Sequence, residues 1–362
     1  MVIKLHDLIG NHSGTHYYLD TLAKKIRRYD LKVDIKSNYV IDGRESFYPK
    51  IFHFNPVKKM VFLLYCYLKF FVCALRTKKK ELIIVSIYGA SIDIGLLLIS
   101  ILFKKKVVLD VHEFVNNSYD IGLRKIFILA FRLSQNPIII HSKAIERELL
   151  KIGNKSKIIF TPHVNYEIDN LFNAEKVNKE VKNSILKESC NFLFFGNIIE
   201  SKGILDLISI LQENNFDEMN VNFIVSGKDS GGIFSDLNNL KTNVKLILRH
   251  INDDEMKFLF STVDFILLPY LEINQSGVME MAFNYRKPVI SSDINYFRKI
   301  FRKYSSFGQV INTRNPLEFS NFIISASNNS NREKYFNAKD LNNYYDNGSF
   351  DVFINDIKHL FS

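Results

Sequence analysis

Short runs of Val, Ile, Leu and Phe recur along this chain, and most are apolar at consecutive positions rather than at alternating ones. VIKLHDL begins at residue 2, LKVDI at 31, LIIVSIY at 82, KVVLDVH at 106, PIIIH at 137 and KIIFTPH at 157. A strand that is apolar on both faces has to be covered on both, and a parallel sheet between helices provides that cover. Helical patterns between the runs, such as Leu19 to Ile26, supply the covering elements, which makes the rhythm one of successive βαβ units. A second series follows: NFLFFG at 191, VNFIVSG at 221, VKLIL at 244, DFILLPY at 264 and KPVISS at 287. Between the two series, residues 166–187 are polar and charged and offer no strand, so they read as a partly helical linker.

A chain of 362 residues is longer than one core comfortably supports. The expectation is an α/β protein of two Rossmann-like, doubly wound domains facing a cleft. The N-terminal domain covers 1–165, the linker 166–187, the C-terminal domain 188–335, and an amphipathic helical tail 336–362. In such sheets ligands bind beyond the carboxyl ends of the strands, so the cleft is the place to look for chemistry.

Three cysteines without a CxxC pair or a His/Cys cluster at metal-ligand spacing point to a reduced, cytoplasmic chain with no structural zinc. Residues 1–165 hold 27 Lys and Arg against 13 Asp and Glu, whereas the remainder holds 21 against 25. The basic half shows no zinc finger, no RNP-type strand and no recognition-helix pattern, which argues against nucleic acid. An anionic membrane surface is the better partner.

The apolar stretch from Leu82 to Phe103 divides into a β-branched strand, a Gly89-Ala90-Ser91 turn and a helix opened by Ser91 and Asp93, rather than spanning a membrane. No signal peptide is expected. Lys58 to Lys80 reads as a helix whose Lys58, Lys69, Arg76 and Lys80 fall within about 40° of one another. Such a helix either lies in a headgroup boundary or is a core helix with one solvated edge.

Two motifs carry the chemistry. Phe194-Phe195-Gly196-Asn197-Ile198-Ile199-Glu200-Ser201-Lys202-Gly203 is a strand, a glycine turn and a lysine at a helix entrance, which together suit a diphosphate. Leu268-Pro269-Tyr270-Leu271-Glu272 continues through Gln275, Ser276, Gly277 and Val278 to Glu280. It places one carboxylate on a loop and a second one turn into a helix, where each can accept two hydrogen bonds from a sugar diol. The backbone at Gln275-Ser276-Gly277 can meet the phosphate between them.

The spacing Glu272-x7-Glu280 ahead of KPVI, with FGN-x4-KG upstream, resembles the retaining glycosyltransferases of family 4 and their GT-B relatives. That resemblance implies that Lys202 binds the donor diphosphate, Glu280 the ribose hydroxyls, and Glu272 the transferred sugar. It also implies that His112, in LDVHE, lies at the reacting sugar, and that Gly14 belongs to the loop approaching donor and acceptor. His141-Ser142-Lys143 resembles a later strand end of the same family. Catalytic roles therefore fall to His112, Glu272 and Lys202, and donor binding to Gly14, Gly196, Asn197, Lys202, Arg249, Gln275, Ser276, Gly277, Val278 and Glu280.

The chain departs from the family pattern where Asn197 replaces the usual Arg and Met281 the usual Ala. Arg249 and Lys228, each just past a strand, are the candidates to replace the missing cation. No DxD motif stands at a strand end, and Asp253-Asp254-Glu255 suits a helix start, so no metal is expected and the nucleotide-diphosphate sugar is the only small molecule required. The activity implied is transfer of a sugar from a nucleotide diphosphate to a lipid-linked glycan acceptor, on the inner face of the cytoplasmic membrane, in bacterial surface polysaccharide synthesis. The alternatives are a sugar-nucleotide 2-epimerase-like enzyme and a non-catalytic partner subunit.

Overall fold

The structure, a computed structural model, describes residues 1–10, 16–39, 45–50, 55–114, 121–161, 166–213, 216, 219–235, 243–273, 276–328, 338–345 and 349–361. Contacts divide the chain into two compact units, Met1–Val164 with Asn347–Ser362, and Asn165–Asp346.

The first unit runs β1 (Val2–Asp7), α1 (His16–Arg27), β2 (Lys32–Ser37), α2 (Pro56–Arg76), β3 (Glu81–Ile87), α3 (Asp93–Leu102), β4 (Val107–Val111), α4 (Ile121–Leu133), β5 (Ile138–Ile140), α5 (Lys143–Lys151) and β6 (Ile158–Phe160). Its six strands pair in parallel in the order β2-β1-β3-β4-β5-β6. The consecutive apolar runs have the expected cause, since every residue of β4 and β5 is buried. Alternate residues of β3, β4 and β5 share one core with the inner stripes of α2, α3, α4 and α5. The opposite face carries α1, whose Tyr18 reaches Asp110 of β4.

The stretch from Leu82 to Phe103 is divided between β3 and α3, and among the described residues no helix is long and apolar enough to cross a membrane. Asp93 opens α3 as expected. It is the first helical residue, and its carboxylate accepts from the backbone N–H of Tyr88 and of Ala90 at 2.8 and 2.9 Å, closing the turn that precedes the helix.

The second unit runs α6 (Lys179–Ser184), β7 (Cys190–Phe195), a 3-10 turn (Glu200–Lys202), α7 (Ile204–Glu213), β8 (Val221–Ser226), β9 (Val244–Ile247), α8 (Asp253–Thr262), β10 (Phe265–Leu268), α9 (Gly277–Asn284), β11 (Val289–Ser292), α10 (Asn295–Lys303), β12 (Gly308–Ile311), α11 (Pro316–Ser327) and α12 (Ala338–Tyr345). The sheet order is β12-β11-β10-β7-β8-β9, again parallel throughout. The strand β12 carries no apolar run, because it is a four-residue edge strand (GQVI) with one residue exposed.

Two sequence boundaries move. The segment read as a linker belongs to the second unit, where Asn173 and Asn178 hydrogen-bond to Asp254 and Glu255 of α8. The tail is split: α12 stays with the second unit, while α13 (Ser349–His359) returns to the first. There Phe353, Ile354 and Ile357 are fully buried, Lys157 pairs with Asp356 at 2.9 Å, and Tyr29 donates to Asp351.

Candidate functional site

In the second unit β7 and β10 are neighbours although two strands separate them in sequence, and connections leave them toward opposite edges of the sheet. Such a switch point leaves a crevice between the loops that follow the two strands. Those loops carry the two sequence motifs, and they are bound together. Leu271 N–H donates to Ser201 C=O at 3.0 Å. Gly203 adopts φ 67°, and a Cβ there would sit 1.8 Å from the carbonyl oxygen of Pro269. Only glycine lets the backbone after β7 turn left-handed and touch the end of β10.

Lys202 closes the 3-10 turn, and its ammonium lies 3.9 Å from the ring centroid of Tyr270. The aromatic face attracts the cation and fixes where its charge stands. Tyr270 is a site residue that the motif reading misses; an aromatic two residues past a buried strand is its signal in the sequence. Ser276 caps α9 by accepting from Met279 N–H at 3.1 Å, which leaves the first turn of the helix open at the same end of the sheet. Gly277 is exposed, and Val278 lies near Gly196, where an added Cβ would be 3.7 Å from Val278 Cγ2. Asn197 accepts from the Ser230 hydroxyl at 2.6 Å, which ties the loop after β7 to the loop after β8. Gly196, Asn197, Lys202, Ser276, Gly277 and Val278 are thus brought to one end of one sheet. Glu272 lies exposed on the loop beyond Tyr270.

Two expected residues have other surroundings. Arg249 does not stand open as a substitute cation: its guanidinium makes a fork on Glu255 at 2.9 and 2.8 Å and reaches Glu180 at 3.2 Å. Burial works against ionisation of Glu255, but Arg249, the Asn252 N–H and the Asn178 amide outweigh it and bring its carboxyl down to about 2. Glu280 is buried, and both its oxygens accept from phenols, Tyr344 at 3.2 Å and Tyr345 at closer range. Gly14 and Gln275 lie outside the described residues.

In the first unit His112 follows β4 directly and is buried between two rings, Tyr88 at 4.8 Å and His141 at 4.9 Å, both nearly parallel to it. Burial brings its imidazole down to about 4, against the pull of Asp110, so the ring is neutral at pH 7. Asp110 faces His141 Nε2 at 2.8 Å, accepts from Tyr18 at 3.1 Å and lies 3.6 Å from His112 Nε2. Burial would raise the Asp110 carboxyl, but His112, His141 and the hydrogen bonds hold it below its usual value.

One ligand atom from each of Asp110, His112 and His141 falls within 4.8 Å of the others, a set that could hold a metal ion. Both nitrogens of His141 already face acceptors, Nε2 the Asp110 carboxylate at 2.8 Å and Nδ1 the Thr161 carbonyl at 3.1 Å. Two further acids are buried in the first unit, Asp7 at the end of β1 and Asp93 at the start of α3. Burial lifts Asp7 to about 6 despite the N–H groups of Ile9 and Gly10, and lifts Asp93 to about 7 despite those of Ala90 and Tyr88. Sequence reading left Asp7, Asp110, Tyr18 and Tyr88 without roles.

Two successive doubly wound units of this kind define the GT-B fold class, and the chain has that fold. HepE from Anabaena, crystallised with UDP-glucose, superposes with a TM-score of 0.68 at 12% identity over 99% of each chain. The sucrose-phosphate synthase of Thermosynechococcus elongatus gives 0.63 at 12% identity over 98% of this chain and 99% of that one. S. aureus MnaA, solved with UDP, gives 0.59 at 14% identity over 99% and 96%. No protein-family profile and no curated protein sequence matches the chain.

Proposed function

We propose that this chain is a glycosyltransferase that takes a sugar from a nucleotide diphosphate, UDP being the first to test, and places it on a lipid-linked glycan at a membrane surface. The carrying observation is the meeting of the Lys202 turn and the open start of α9 at the β7/β10 switch point. An ammonium held on an aromatic face and the Gly277 and Val278 N–H groups at the helix start are two preorganised sources of positive potential for a diphosphate leaving group. Solved proteins of the same fold that hold UDP or UDP-glucose support the choice of donor.

In this reading, which follows the resemblance to family 4, the transfer is retaining and uses no metal. Lys202 and the backbone at Gly277 and Val278 hold the diphosphate, exposed Glu272 meets the transferred sugar, Glu280 the ribose, and neutral His112 the reacting sugar. The enzyme works at the inner face of the cytoplasmic membrane in bacterial surface polysaccharide synthesis. A thermal-shift panel of UDP-, GDP-, ADP- and CMP-sugars tests the donor, because a ligand at 100 times its dissociation constant adds about 2.7 kcal/mol of stability. Lys202→Ala is expected to lower turnover by roughly 100- to 1,000-fold with the fold intact. Near wild-type rates at saturating donor end the diphosphate assignment.

A further inference from the structure

The outer surface of the helix layer on one face of the first sheet is unusual for a doubly wound unit. The helices α2, α3 and α4 lie side by side and bury their inner stripes in a common core with β3, β4 and β5. Their outward positions should then be polar. Instead Leu64 and Leu68 of α2, Leu102 of α3, and Leu129 and Leu133 of α4 are each more than half exposed. Three neighbouring helices share the feature, so the apolar surface is a layer and not a single helix edge, and a patch of this kind marks an interaction site.

Its charge is one-sided. Neither α2 nor α4 contains an acidic residue, and the only one in α3, Asp93, is buried. Exposed lysines frame the layer instead, Lys58 and Lys59 at the start of α2, Lys78 to Lys80 after its end, and Lys104 and Lys105 after α3. The cationic stripe expected along α2 is not what the structure offers. The helix stops at Arg76, and Lys69 donates to the Phe47 carbonyl at 2.7 Å with its ammonium 4.4 Å from the Phe47 ring.

We propose that the outer face of α2, α3 and α4 docks flat on an anionic lipid bilayer, with the leucines entering the headgroup boundary and the framing lysines pairing with lipid phosphates. A second copy of this chain fits poorly, since a two-fold contact through this face would set lysines against lysines, and the described residues of α2, α3 and α4 carry no exposed acid to offset them. A bilayer offers both complements the face needs, negative charge for its lysines and an apolar interior for its leucines. The inference deepens the function proposed above and, for its purpose, rests on that reading; the docking itself is tested without it.

The test is flotation of the full chain with phosphatidylcholine vesicles and with equimolar phosphatidylcholine–phosphatidylglycerol vesicles. Wild type should float with the second kind, and less so at high salt. Leu68→Glu combined with Leu129→Glu should weaken that binding at least about tenfold. Both sites are exposed, so the thermal midpoint and the shift produced by UDP-sugars should stay as in wild type. Lys79→Glu with Lys104→Glu should lose the preference for phosphatidylglycerol. Equal binding to both vesicles, or binding indifferent to the leucine changes, overturns the proposal, as does a solution dimer that the same changes dissociate. Flotation as described in a chain that transfers no sugar to a water-soluble acceptor keeps the docking surface and overturns the function instead.

Discussion

Arg249 and Glu255 form two parallel hydrogen bonds past the end of β9, and the carboxylate of the pair is buried while the guanidinium is about one-third exposed. Removing the cation leaves a buried charge without its main partner, so Arg249→Met should destabilise the second unit by roughly 3 kcal/mol, at the lower end for a broken buried pair. Glu255 has its folded pKa depressed from 4.5 to about 2. Its contribution is therefore full above about pH 4.5 and is lost as pH falls toward 2. Urea midpoints at pH 7, 5 and 3 should show this acid-dependent part shrinking in the variant. Donor affinity should not change; a variant that keeps its stability but loses UDP-sugar binding would return Arg249 to the diphosphate. The pairing is invisible in the sequence for a simple reason. A cation just past a strand looks available, and the acids at 253–255 announce a helix start, but nothing in the order of residues shows that the third acid turns back onto that cation.

Six apolar runs in the first half and five in the second became strands. The eight central ones are the plainest, because a central parallel strand must be apolar on both faces. The edge strands β2, β6 and β9 are only partly buried yet keep short apolar runs. The edge strand β12 needs no such run and left no signal. The helix α9 was legible through its Ser276 cap, but the partner of its Glu280 was not, since α12 lies sixty residues downstream and its tyrosines sit in a polar stretch. Two phenol hydroxyls on one carboxylate give the same kind and number of hydrogen bonds as a vicinal diol would. If donor ribose binds Glu280, it must displace them, and the affinity measured is reduced by the fraction of chains in which they are bound. Tyr344→Phe with Tyr345→Phe should then tighten UDP binding by about tenfold, the scale of one hydrogen bond to a charged group. Calorimetric titration with UDP decides it: unchanged affinity would make Glu280 an anchor for α12 and not a ribose ligand.

The division into two units was legible at the level of sheets and misplaced at its ends, because the polar composition of 166–187 marks exposure and not independence, and because no local pattern says which sheet an amphipathic helix will cover. Phe353 of α13 is fully buried in the first unit. Phe353→Ala should cost the first unit about 3–5 kcal/mol and leave the second alone. In differential scanning calorimetry one transition should fall while the transition that UDP-sugars raise stays in place; a single transition moving as one would show that the units melt together. The return of α13 also sets an order of events in the cell. Domains generally fold as they emerge from the ribosome, N-terminal first. Here the cover for the first sheet is translated only after the whole second unit, so the first unit waits with an apolar flank open for as long as its neighbour takes to be made. A pause or premature stop late in the message would harm the part of the protein that was synthesised earliest.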